Sequence, residues 1–98
     1  MILTTTNSIE GHPIQDYLGI VTGLSMNYQK GKFTFNMEKY YEAIESEVSQ
    51  LKEEAFQKLK ENAIKLQANA VVGIKVDIET TSTGATLVSI TGTAVKVV

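Results

Sequence analysis

Asp77 and Glu79 stand two residues apart in IKVDIET, and in a strand that spacing sends both carboxylates to the same face. Oxygen ligands gathered in this way suit hard cations such as Ca²⁺, Mg²⁺ or Mn²⁺, the more so if copies of the chain repeat the pair around a ring. Lys75 belongs to the same face. Acids beside a lysine also make an ordinary solvated sheet surface, where opposite charges offset one another. His12, in GHP, is the one imidazole of the chain and the one side-chain type that ordinarily titrates near neutrality. Pro13 pushes it into extended or turn backbone. It therefore reads as a loop residue that could bind metal or sense pH across a subunit boundary, with Asp16 close enough in sequence to pair with it.

Other chemistries find little to build on. The chain has no cysteine, which removes thiolate ligands, thiol nucleophiles and disulfides together and agrees with a reducing, cytoplasmic setting. One histidine cannot furnish a Ser/His/Asp set or an HExxH pair, and no GxSxG occurs. Glycines at 19, 23, 84 and 92 never fall into a GxGxxG or GxxxxGK pattern leading into a helix. The expectation is a protein that is not an enzyme and has no resident cofactor, a divalent metal being the one candidate ion. Met37, Tyr40 and Tyr41, with Tyr28 and Phe33 nearby, could line a small-molecule pocket at a subunit boundary, or simply pack.

Composition narrows the partners. The net charge is -2, and all nine basic residues are lysines, most of them among glutamates in the middle of the chain. Nucleic-acid binders gather their cations on one face, so no nucleic-acid role is expected. No apolar run approaches the ~18 residues of a membrane span, and MILTTTNSIEG lacks the basic start and apolar core of a secretory signal. Ninety-eight residues without a Pro- or Gly-rich linker make a single domain, residues 1–98.

The elements that must position these residues follow from periodicity. ILTTT (2–6) is a brief edge strand, and NSIEGHPIQ after it is turn chemistry. In YLGIVTGLSM, period two places Leu18, Ile20, Leu24 and Met26 on an expected core face and Tyr17, Gly19, Val21, Gly23 and Ser25 on the other. Ile44, Val48, Leu51, Ala55, Leu59, Ala63 and Leu66 then recur at steps of three and four, the stripe of an α-helix. Asn36 is its expected N-cap and Asn69 its left-handed close. From Ala70 the period is two again: Ala70, Val72, Ile74, Val76 and Ile78 on one face, Val71, Gly73, Lys75, Asp77 and Glu79 on the other. TTSTG (80–84) turns the chain into a last strand, ATLVSITGTAVKVV. The predicted fold is α+β, in the order β-β-α-β-β, an antiparallel sheet packed on one long helix.

Lengths within this fold do not match. A helix from about residue 36 to 66 spans ~46 Å, whereas a nine-residue strand covers ~30 Å. Either the helix breaks near Tyr41 or its free turns, with Met37, Tyr40 and Tyr41, pack on something else. The sheet face away from the helix would carry Val21, Val71, Leu87, Val95 and Val97 with Gly19, Gly23 and Gly73, and strand glycines imply the close approach of another backbone. A homo-oligomer whose neighbours cover that face is the expectation.

ILTTT, IEG, YLGIVTG, ANAVVGIKVDIET and VSITGTAVKV, in that order over nearly the whole chain, resemble the YbjQ-like family of small bacterial and archaeal proteins, a family that carries a heavy-metal-binding label. The resemblance implies a dodecin-like α+β fold and a homopentamer in which short extra strands such as residues 2–6 help join subunits. Relatives carry a longer, glycine-rich connection before a Tyr-Glu pair. Here NYQKGKFTFNMEKYYE stands in its place, with Tyr41 and Glu42 as the echo, and Ile78 replaces a tyrosine before Glu79 and Thr80. The function expected is that of an oligomeric binding or scaffold protein, with a ligand in a channel or at a subunit boundary. The alternative is metal storage or sensing by carboxylates around Asp77 and Glu79.

Overall fold

β-branched residues dominate both ends of the chain and Glu, Lys and Ala its middle, so strands flank one helix. The computed structural model describes residues 1–28, 37–81 and 84–98, with the side chains of residues 28 and 37–44 outside that description. The elements are β1 (Ile2–Leu3), β2 (Ile14–Tyr28), α1 (Met37–Lys65), β3 (Ala70–Thr80) and β4 (Ala85–Val97). They follow the expected β-β-α-β-β order and form one four-stranded sheet, β1-β3-β4-β2. β3 and β2 run antiparallel to β4, whereas β1 joins β3 in parallel, so the sheet is mixed rather than wholly antiparallel.

The helix runs unbroken through Tyr41 and through Ser46–Ser49. Its 29 residues span about 44 Å. Leu51, Ala55, Leu59 and Ala63, the centre of the predicted stripe, are buried. Its end differs from expectation. Gln67, not Asn69, takes the left-handed conformation (φ 63°). The backbone amide of Gln67 donates to Ile64 O (2.9 Å) and that of Ala68 to Ala63 O (3.1 Å), the paired bonds of a Schellman close. Asn69 instead brackets the end of β4: its side-chain amide donates to Val97 O (2.9 Å) and its side-chain carbonyl accepts from Val97 N (2.8 Å). The expected N-cap Asn36 lies outside the described residues.

The larger difference is which sheet face meets the helix. Val21, Gly23 and Ser25 are buried beneath α1, while Ile20, Leu24 and Met26, expected in the core, are exposed. The helix carries small residues where it crosses β2, and its backbone comes so close that a Cβ on Gly23 would lie 2.0 Å from Ala55 O. A face of Ile, Leu and Met would hold the helix off. At Gly23 the close backbone that a strand glycine called for is therefore the chain's own helix, whereas Gly19 and Gly73 face the side chains of Leu66 and Asn7.

Irregularities change the strand faces as well, with a first shift of β2 between Ile14 and Asp16. β2 shifts register between Tyr17 and Gly19, and Leu18 packs with the helix-side core, apart from Ile20. β3 bulges between Val72 and Lys75 at Gly73, whose φ is 62°. The extra residue puts both Val71 and Ile74 against the helix-side core. Gly92 makes room for them: a Cβ there would sit 2.6 Å from Val71 Cγ1. Beyond the bulge the parity is reversed, so Ala70, Val72, Lys75, Asp77 and Glu79 share the face away from the helix.

A second, smaller cluster forms on that open face, where Ile9 and Ile14 cover Ala70, Val72, Val95 and Val97. The N-terminal arm is held by backbone bonds from Thr4 N to Val71 O (3.0 Å), Ile74 N to Thr4 O (3.1 Å) and Gly73 N to Thr6 O (2.8 Å). Residues 2–6 thus extend this chain's own sheet and guard the first half of its β3 edge. At the opposite edge, Asn62 Nδ2 donates to Thr22 O (2.8 Å) and Lys58 Nζ to Leu24 O (2.9 Å). These bonds occupy carbonyls that a foreign strand would otherwise use.

Candidate functional site

β3 places Asp77 opposite Ser89 and Glu79 opposite Leu87 on β4, with Lys75 opposite Thr91. All three charged side chains are exposed and lie on the open face, as their spacing predicted. Across β4 the same face continues into Thr22, Leu24 and Met26 of β2. The pair therefore borders an apolar stripe and a row of hydroxyls. Among the described residues no three His, Asp or Glu side chains converge to hold a metal ion.

His12 lies at the other end of the sheet. Its amide donates to Ile9 O (3.1 Å), closing the turn that Gly11 and Pro13 announced. Its ring Nδ1 lies 2.7 Å from Val98 O, and because a carbonyl only accepts, Nδ1 carries the proton in this bond. Val98 N in turn donates to Pro13 O (3.1 Å), so the turn and the end of β4 are tied twice. Asp16 stands opposite Lys96 in the β2–β4 ladder, and the ring's bond goes to Val98. Val98 is nine residues along the chain from Ser89, the partner of Asp77. At ~3.3 Å per residue His12 and the carboxylate pair are about 30 Å apart. The structure does not bring the sequence-predicted residues together within one chain.

A feature absent from the sequence pattern lies between α1 and the β2 edge. Met26, Asn27, Glu47, Gln50, Leu51 and Glu54 line an open groove of about 270 Å³. Ser25 Oγ donates to Glu54 Oε2 (2.7 Å), and the Asn27 amide donates to Glu47. Both carboxylates thus fasten the helix to the strand. Glu47 and Glu54 are seven apart, two helical turns on one side, a spacing visible in the sequence though its strand partners are not. The cluster of Met37, Tyr40, Tyr41, Tyr28 and Phe33 falls outside the described side chains.

Comparison with known proteins gives this geometry a family. A family model described as "Putative heavy-metal-binding" matches residues 1–98. The chain is 38% identical to a UPF0145 protein of Pseudomonas putida, over 98% of each chain. It is 39% identical to one of Anoxybacillus flavithermus, over 98% of this chain and 97% of the other. It is also 39% identical to one of Geobacillus thermodenitrificans, over 99% of each. The crystal structure of a protein of unknown function from Pediococcus pentosaceus, of the DUF74 family, shares the fold with a TM-score of 0.77 at 24% identity, covering 100% of this chain and 98% of that one. Matched from end to end by the model and by these relatives, the chain belongs to the YbjQ-like family, the UPF0145 proteins.

Proposed function

We propose that the protein is a homo-oligomeric binding or scaffold protein, a pentamer by its family resemblance, in which neighbouring copies cover the open sheet face. The observation that carries this reading is the exposure of Ile20 (77%), Met26 (65%) and Leu24 (50%) along one face of β2, with Thr22 between the first and the last two. Isolated surface apolar residues are ordinary, but an aligned stripe on a sheet face marks a contact surface. Burying each side chain contributes at most about 1.5–3 kcal/mol, which favours assembly over a wetted face. The helix turns before Glu45 point the same way. Glu47 already reaches Asn27, near the end of β2, so the earlier turns project past the strands.

On this reading a ligand occupies a channel or subunit boundary rather than a pocket of one chain, the protein is not an enzyme, and it acts in the cytoplasm without nucleic acid or membrane. No helix among the described residues is long and apolar enough to cross a membrane. Light scattering coupled to size exclusion tests the assembly. The expected result is a particle several times 10.7 kDa, near five times for a pentamer. A stable 10.7 kDa species at high concentration overturns it.

A further inference from the structure

We infer that this chain has no soft-metal centre, in disagreement with the heavy-metal description that its family carries. The inference goes beyond the assembly proposed above and does not depend on it. Cadmium and copper(I) are held by sets of thiolates, imidazoles or thioethers, and zinc by thiolates and imidazoles to which a carboxylate can be added, with bonds of about 2.0–2.3 Å in a typical zinc site. This chain has no cysteine, one histidine and three methionines. That tally covers the whole sequence, so no arrangement of the residues outside the description alters it.

The described residues also keep these donors apart. His12 spends Nδ1 on Val98 O. Such a bond orients the ring as metal-bound histidines are oriented and leaves Nε2 as its one lone pair. No second imidazole exists to join it, and the Asp77–Glu79 pair is about 30 Å away. Met1 adjoins Ile2, which pairs with Ala70 and through it with Val95, whereas Met26 pairs with Leu87. Eight residues along β4 separate the two methionines by about 26 Å. Across a subunit boundary different donors of two copies can meet, but each copy brings one imidazole and no thiolate to such a site. Any imidazole site shared between copies must use His12, and one variant removes it.

The test is uptake of Zn²⁺, Cd²⁺ and, under reductant, Cu⁺ by the purified full chain, read by equilibrium dialysis with elemental analysis, beside the His12→Gln variant. The substituted glutamine retains an amide to bond Val98 O but lacks the imidazole, and circular dichroism verifies the variant's fold. The expected result is no saturable uptake by either protein. Saturable binding at a fixed fraction per chain overturns the inference in either form. Loss of that binding in His12→Gln would identify a site built on His12, and its survival would identify donors elsewhere. Light scattering on the same samples keeps the result separate from the assembly, which stands or falls on its own mass.

Discussion

Gly23 of β2 and Ala55 of α1 approach so closely that a Cβ on the glycine would lie 2.0 Å from the alanine's carbonyl oxygen and 2.8 Å from Leu59 N. Neither atom is the end of a flexible side chain; both belong to the helix backbone. Gly23→Ala must therefore lift the helix or bend the strand, and overpacking of this kind costs about 1–3 kcal/mol or more. Gly11 serves as a control, since a Cβ there meets nothing within 4 Å although its φ is 78°. Gly11→Ala should cost only the left-handed backbone term, ~1–2 kcal/mol. Urea melts of the two variants should show the larger loss for Gly23→Ala.

Leu59 and Leu66 both sit on the predicted helix stripe, yet Leu59 is wholly buried and Leu66 is 40% exposed. Leu59→Ala should cost ~2–5 kcal/mol, as buried leucines do. Leu66→Ala should cost clearly less. Thermal and denaturant unfolding of both variants measure the contrast, and equal losses would show that the helix end is more enclosed than one chain makes it.

Asn69 offers the β4 backbone one donor and one acceptor at Val97. Asn69→Ala removes both bonds, at a net ~0.5–1.5 kcal/mol each. Asn69→Asp keeps the acceptor but turns a carboxylate oxygen toward Val97 O, so it should be no more stable than the alanine variant at neutral pH. Recovery of Asn69→Asp on acidification, as the carboxyl regains a proton to donate, is the signature to look for in unfolding curves at pH 7 and below pH ~4.

Ile20 is the most exposed large apolar residue of the β2 stripe, at 77%. In an assembled protein Ile20→Glu should lower the particle mass toward 10.7 kDa, because a buried unpaired charge is costly. The far-UV circular dichroism of the resulting subunit should stay close to that of the parent, since nothing in its own core is disturbed. An unchanged mass for Ile20→Glu and Leu24→Glu alike would place the subunit contact elsewhere.

The element order, the helix stripe through Leu51, Ala55, Leu59 and Ala63, the turn at His12 and the shared face of Asp77 and Glu79 were all legible in the sequence. Each depends on residues a few positions apart, and hydrophobic period reports such relations directly. The faces of β2 and β3 were not. Strict alternation paired Leu18 with Ile20 and Ile74 with Val72. The shift near Gly19 and the bulge at Gly73 break that alternation, each adding a residue on one strand that only the partner strand reveals.

Hydrophobicity pointed toward Ile20, Leu24 and Met26 as core, and the fold buried the smaller Val21, Gly23 and Ser25 instead. What the sequence by itself determined was local: which segments extend, which coil, where they turn and which donor atoms exist at all. What the tertiary structure alone decided was non-local: which side of the sheet a helix with small residues at Ala55 and Ala63 can approach, which carbonyls Asn62 and Lys58 close, and how far His12 lies from Asp77. The physical reason is that packing is settled by shape at the contact, backbone against backbone, and shape across sixty residues of chain is not written in any short window of it.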